Sequence, residues 1–259
     1  MAGKKKDTSL LHHLIGSRSL VWNLAKNDIK KKFAGSYFGV VWAFVQPVIT
    51  VLLYWFVFEK GLNSKATDLR TGIEIPFVLW LTAGLVPWFY FQEALNGGTG
   101  VLVEYSYLVK KVVFQIDMLP VVKMISALFT HLFFVAFTIV LFICMGYMPD
   151  WYALQVIYYS FCMILFATGL VYATSAVTVF FRDMKEVVGI LLQIGMWVTP
   201  IMWNFETMVQ IPGWAIAVLK LNPMYYIVSG YRNALINHIG FWEDMGLTVY
   251  FWVVTAVLL

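Results

Sequence analysis

Residues 177–232 read VTVFFRDMKEVVGILLQIGMWVTPIMWNFETMVQIPGWAIAVLKLNPMYYIVSGYR. The stretch holds the end of one apolar run and then a charged knot of Arg182, Asp183, Lys185 and Glu186. A second apolar run follows and breaks at Thr199-Pro200. Two further apolar pieces, each too short to cross a bilayer, meet at Asn222-Pro223. Irregular backbone at membrane depth is tolerated only inside protein or beside a water-filled cavity. Half-segments of this kind therefore point to a protein that shapes a pathway at one membrane face.

Composition agrees with a membrane protein. The chain is 61% hydrophobic and 12% charged, with a mean hydropathy of +0.78, where soluble domains carry about 25% charged residues. Aromatic residues make up 18%, more than interfacial belts alone require. No small-residue cleavage site follows the first apolar run, so that run is expected to act as an uncleaved signal. Cys144 and Cys162 both fall in apolar runs and read as small buried hydrophobes.

About 20 apolar residues cross the hydrocarbon core. On that measure the spans are expected at 39–58, 77–95, 121–144, 153–181, 187–203 and 245–259. The fold class is thus all-α, with six transmembrane helices. Residues 1–38 form a cytoplasmic N-terminus with an interfacial helix, and 39–259 form the six-span domain. The last run stops while still apolar, so a polar tail is expected beyond it. Thirteen of the 18 Lys and Arg residues fall on one side: those before the first span, Lys110, Lys111, Lys123, Arg182 and Lys185. Lysine and arginine mark the cytoplasmic side, which places both termini inside. The net charge of +4 reports this topology. It is no nucleic-acid footprint, since no soluble face is long enough to carry one.

Residues 18–33 put Leu20, Val21, Leu24, Ala25, Asp28, Ile29 and Phe33 into a stripe at helical spacing, with most lysines off it. This reads as an amphipathic helix in the cytoplasmic interface, or as a topology signal alone. Gly97-Gly98-Thr99-Gly100 is expected to break or loosen a helix. The run Tyr107 to Phe114 then offers apolar residues beside Lys110 and Lys111, either as a docking helix for a soluble partner or as a cover for the bundle end. Residues 211–221 would reach about 16 Å as a helix, roughly half a bilayer. Asn222 can cap a helix whose first residue is Pro223. A re-entrant hairpin on the extracellular side results. The competing reading, one span through Pro223, makes seven spans and costs several kcal/mol at the proline.

The chain carries no phosphate-binding loop, no metal-ligand spacing and no nucleophile–base arrangement. It is read as no enzyme and as holding no cofactor itself. Charges deep in a span mark gradient-driven carriers. Glu93 and Lys123 instead lie near span ends, where they can snorkel. His131 lies about 15 Å into the third span and reads as a neutral histidine hydrogen-bonded between helices. With no internal inverted repeat, a secondary transporter is disfavoured. The Arg182–Asp183 pair reads either as a transmitter of motion between spans four and five or as a local ion pair. Gly169, Ala173 and Ala176 form a small-residue face for close helix contact.

The succession FFRD, LLQIGMWVTPIMW, IPGW and LNPMYYIVSGYR, after a Lys-Lys-Val-Val-Phe helix ending at Leu119-Pro120, resembles the permease subunit of type-2 ABC exporters. Within these it is most similar to the polysaccharide and polyol-phosphate exporters for O-antigen, capsule and teichoic acid. The resemblance spans nearly the whole chain. It implies a homodimer in a bacterial cytoplasmic membrane that moves a lipid-linked glycan through the bilayer. Two copies of a separate ABC ATPase subunit would dock on its cytoplasmic side and hold the ATP and Mg. Docking would use Lys110, Lys111, Val112, Val113 and Phe114, with Arg182 and Asp183 transmitting the motion. Pro212, Gly213, Asn222 and Pro223 would shape the extracellular exit. Sugars stack their apolar ring faces on aromatic side chains, so Tyr37, Phe38, Trp42, Trp88, Phe89, Tyr90 and Trp197 are candidates to line the conduit; lipid contact and helix packing are the alternatives for each. Alternative functions are a drug or lipid exporter permease, and a channel or scaffold subunit without an ATPase.

Overall fold

The computed structural model describes residues 18–32, 34–106, 116–203 and 212–259. Nearly all the ordered structure is helical. Helix α1 is Arg18–Lys32 and α2 is Trp42–Trp55, which widens into a π-helical turn at Phe56–Gly61. Strands β1, Ala66–Thr67, and β2, Glu74–Ile75, make a small antiparallel hairpin in which Ala66 faces Ile75. Helix α3 is Phe77–Thr99, α4 is the short Val101–Glu104 and α5 is Leu119–Cys144. Then come α6, Gln155–Phe180; α7, Met184–Val198; α8, Gly213–Lys220; α9, Pro223–Arg232; and α10, Met245–Leu258.

Among the described residues, three stretches are long and apolar enough to cross a membrane: Trp42–Gly61, Ile116–Cys144 and Trp151–Phe180. The other apolar helices of the expected spans, α3, α7 and α10, cover 23, 15 and 14 residues. Helix α3 is the pillar of the fold. It packs against α2, α5, α6, α7 and α9, and Leu79, Leu81, Ala83, Leu85 and Ala94 on it are fully buried. A central helix needs small residues where neighbours come closest. A Cβ on Gly98 would overlap Val171 Cγ1 of α6. The expected break at 97–100 falls at its last residue: α3 ends at Thr99, and Gly100 forms the turn before α4, while Gly97 and Gly98 stay helical. Close packing of α6 explains Gly98, and Thr99 Oγ1 donates to the Leu95 carbonyl and lies 2.9 Å from Thr174 Oγ1.

The fifth expected span is shifted. Helix α7 begins at Met184, takes in Lys185 and Glu186, and stops at Val198, before Thr199-Pro200. Of the small-residue face on α6, only Gly169 makes a close approach, since a Cβ there would meet Leu258 of α10 at 2.9 Å; Ala173 and Ala176 are exposed. Cys144 is exposed and Cys162 buried, both free.

One end of the bundle, the basal end, carries α1, the C-terminus of α3 and the start of α7. The other, distal end carries the hairpin, α8 and α9. In the hairpin turn, burial works against the Asp68 carboxylate. Hydrogen bonds from Thr71 and from the Arg70 amide outweigh it and hold the Asp68 pKa below its ordinary value.

Neighbouring glycines on α3 give a sharp test of this packing. Gly98→Ala is expected to destabilise the protein by about 1–3 kcal/mol through overpacking. Gly97→Ala, whose Cβ would sit 3.6 Å from Lys123 Cδ, is expected to be neutral or stabilising. Thermal unfolding of the two variants in detergent measures the difference, and equal melting temperatures would refute it.

Candidate functional site

Two constructions stand out, one at each end of the bundle. At the basal end, α1 is fastened to the bundle by buried charge. Val21, Ala25 and Asp28 on its inner face are buried, the first two against Met118 and Val122. Lys123 of α5 donates to Asp28 Oδ1 at 2.6 Å and reaches Glu104 at 3.0 Å. Tyr105 Oη donates to the same Asp28 oxygen at 2.8 Å. Lys32 at the end of α1 donates to Glu93 of α3 at 2.6 Å. Glu93 and Lys123 thus do not snorkel freely. The Lys123 side chain is only 13% exposed, because an acidic partner lies within reach on α1.

Above these pairs lies a cavity of about 640 Å³. Its walls come from α1, α2, α3, α5 and α7. Along α2 it runs from Trp42 to Tyr54, about 18 Å at helical rise. Three apolar helices each turn one polar pair toward it: Gln46 and Thr50 of α2, Gln92 and Asn96 of α3, Ser126 and Thr130 of α5. Each pair is spaced i, i+4, so its members stack one turn apart on a single helix face. No hydrogen bond engages the side-chain amides of Gln46, Gln92 or Asn96 among the described residues. Polar groups inside membrane helices face a bundle interior or a wet cavity, and these do.

At the distal end, Arg232 closes the break in the chain. Helix α7 ends at Val198, and the loop carbonyls of Pro200 and Ile201 that follow lie outside any helical ladder. The Arg232 guanidinium, 6% exposed, donates from Nη1 to the Pro200 carbonyl and from Nη2 to the Ile201 carbonyl, both at 2.7 Å. Its Nε donates to the Trp80 carbonyl at 3.3 Å, and its carbon lies 3.3 Å from the Trp80 ring centroid. A Cβ on Gly84 would come within 2.7 Å of Nη2, so glycine there makes room for the cation. Asn222 adds a second tie. Its Oδ1 accepts from the Met224 amide at 3.0 Å, capping α9, while its Nδ2 donates to Thr199 Oγ1 at 2.8 Å. Pro223 occupies the first turn of α9, where its missing N–H is harmless.

The remaining candidates take varied positions. Lys110, Lys111, Val112, Val113 and Phe114 lie outside the described residues. Arg182 and Asp183 are exposed in the α6–α7 turn, with no ion pair joining them. Tyr37, 97% exposed, stands edge-on to Phe38, which stands edge-on to Trp42. This ladder ends in the cavity, because Trp42 and Phe89 are in its wall. Trp88 and Tyr90 are each 2% exposed; Trp88 packs on Gly195 and Tyr90 on the His131 ring. Trp197 is exposed on α7. Pro212 and Gly213 open α8 and are exposed. His131 Nε2 lies 3.3 Å from Ser160 Oγ and 3.1 Å from Tyr231 Oη, joining α5, α6 and α9 as expected of a helix-bridging histidine. No metal-binding cluster occurs among the described residues.

The family model described as "ABC-2 type transporter" matches residues 19–236, from α1 through the Arg232 clamp. The chain belongs to this family. The O-antigen export system permease protein RfbA of Myxococcus xanthus is 25% identical over 229 residues, which cover 88% of this chain and 85% of the relative. A protein of the same name from Klebsiella pneumoniae is 21% identical over 218 residues, 83% of this chain and 79% of the relative. In this ABC-2 chain the sequence reading missed the polar cavity rungs and the role of Arg232. The i, i+4 pairs were a visible signal within each span, but their convergence from three spans was not. Arg232 was visible as a lone cation closing a tyrosine-rich helix, YYIVSGYR.

Lysine cannot span three carbonyls as a planar guanidinium does. Arg232→Lys is expected to lower stability by about 2–4 kcal/mol, the equivalent of one or two charged hydrogen bonds. Thermal unfolding in detergent measures this, and a loss below about 0.5 kcal/mol would contradict the clamp.

Proposed function

We propose that this chain is the membrane-spanning permease subunit of an ATP-driven exporter that carries a lipid-linked polysaccharide across the bacterial cytoplasmic membrane. The observation that carries the reading is the match over most of the chain, within the ABC-2 family, to relatives named as O-antigen export permeases. The chain has no nucleotide loop of its own, so ATP and Mg belong on a separate ABC ATPase. In this reading the basal end is cytoplasmic, the helices form six spans with both termini inside, and two copies of the chain pair around the path. Two ATPase subunits dock at residues 107–114, and Arg182 and Asp183 at the head of α7 pass their motion upward. The half-helices α8 and α9, entered at Pro212-Gly213 and Asn222-Pro223, form the outer exit.

The cavity and its aromatic approach suit a sugar cargo. Tyr37, Phe38, Trp42, Phe89 and Trp197 offer ring faces. The burial of Trp88 and Tyr90 suits support of the wall behind them, with contact to polymer only if the helices separate. A glycan moves between sites by exchanging weak stacking and hydroxyl contacts, and a row of such faces lets it slide without a deep trap.

Deleting the gene is expected to strip long-chain glycan from the cell surface while lipid-linked polymer accumulates inside. The tagged chain is expected to co-purify with a soluble ATPase. Normal surface glycan and no ATPase in the complex would overturn the reading in favour of a channel or scaffold. The triple variant Tyr37→Leu, Phe38→Leu, Trp42→Leu is expected to lower export at normal protein levels; unchanged export would remove the aromatic ladder from the path.

A further inference from the structure

The charges around the basal cavity say which glycans suit it. Five charged side chains line it: Lys32, Lys123, Lys185, Asp28 and Glu93. Lys32 is held on Glu93 and Lys123 on Asp28, each at 2.6 Å, and Lys123 also reaches Glu104. Both lysines are thus neutralised by carboxylates of the protein, Lys123 within the wall at 13% exposure and Lys32 at the rim at 51%. Lys185, on α7, is exposed to solvent, where its field is screened. To gain a lysine deeper than the exposed Lys185, an incoming phosphate would have to take it from its carboxylate. That carboxylate would then remain beside it, and for Asp28 it would remain nearly buried, with the side chain 9% exposed. Asp28 would keep the Tyr105 hydroxyl but lose its counter-ion, and a nearly buried charge without its ion partner is strongly unfavourable.

What the cavity does offer is neutral and unengaged. Gln46, Gln92 and Asn96 each present an acceptor oxygen and two N–H donors, and none of these amides is bonded to protein among the described residues. Trp42 and Phe89 add ring surface. A sugar, dense in hydroxyls that both donate and accept, complements this set. A volume of about 640 Å³ falls in the usual range of small-molecule sites.

We infer that the cavity is a subsite for an uncharged sugar segment, and that it selects neutral glycans over polymers with a phosphodiester in each repeat. The inference rests on the permease reading and narrows its cargo. Glu93 acts here as a specificity residue, by keeping Lys32 from phosphate.

The full chain in lipid nanodiscs tests this by saturation-transfer NMR. The probes are linear hexamers of glucose, galactose and mannose, and a glycerol-phosphate hexamer. At least one neutral hexamer is expected to bind, with the phosphate hexamer at least tenfold weaker. The pair Gln92→Leu, Asn96→Leu is expected to weaken the neutral hexamer about tenfold without lowering the melting temperature. Glu93→Gln, which releases Lys32, is expected to strengthen the phosphate hexamer. Equal or tighter binding of the phosphate hexamer to the wild-type chain, silence from all three neutral hexamers, or indifference to the double substitution would each overturn the proposal. Export in cells separates the two readings. If gene deletion abolishes surface glycan but the double variant restores it fully, the subsite fails and the permease stands. If deletion leaves surface glycan intact, the permease reading itself fails.

Discussion

The distal end of this protein depends on one buried cation. Loop backbone that follows a helix end inside a membrane protein presents carbonyls that lipid cannot satisfy. Arg232 meets that need at Pro200 and Ile201, and its third hydrogen bond and ring contact reach Trp80 of α3. One side chain therefore holds together the end of α7, the half-helix α9 and the central pillar. Its own burial is tolerable only because three carbonyls and an aromatic face surround it. Gly84 leaves the space, and Asn222 fixes the entrance of α9 against Thr199. The broken segment is thereby a rigid part of the fold, and the half-helices have a defined place.

The basal end is built on the opposite principle. There the charges pair with each other and hold an amphipathic helix against the bundle. The neighbouring side-chain amides of Gln46, Gln92 and Asn96 are left without partners among the described residues. By the inference drawn above, this cavity, with its inner charges paired and its amides free, suits a hydroxylated, uncharged molecule better than an ion. The two ends are connected by α7, which begins at the exposed Arg182–Asp183 turn and ends at the Arg232 clamp. Motion applied at the turn would thus reach the clamp through a helix only 15 residues long.

Much of this was legible in the sequence, for identifiable reasons. The breaks at Thr199-Pro200 and Asn222-Pro223 could be read because proline removes a donor and must sit where none is needed. The cap at Asn222 and the bridging role of His131 followed from the same local rules. Local rules failed where a distant neighbour decided the outcome. The glycines at 97–100 placed the end of α3 to within a few residues, but only Gly100 makes the break; Gly98 stays helical and is small because Val171 of α6 lies against it. Glu93 and Lys123 looked free to snorkel, but Lys32 and Asp28 of α1 lie against them. Trp88 and Tyr90 looked like candidate conduit aromatics, and the packing of α5 and α7 onto α3 buries both. The cavity itself could not be read, because its rungs are assembled from three helices far apart in the chain.

The central claim is that α7 alone separates a cytoplasmic charged turn from an outer clamp and half-helix. Single-cysteine topology measures it most directly. With Cys144→Ser and Cys162→Ser as background, Asp183→Cys and Trp214→Cys each place a thiol at an exposed position on opposite ends of the bundle. A membrane-impermeant maleimide applied to cells with an intact cytoplasmic membrane is expected to label the cysteine at 214, and to reach the one at 183 only after that membrane is opened. Labelling of both from the same side would contradict the claim.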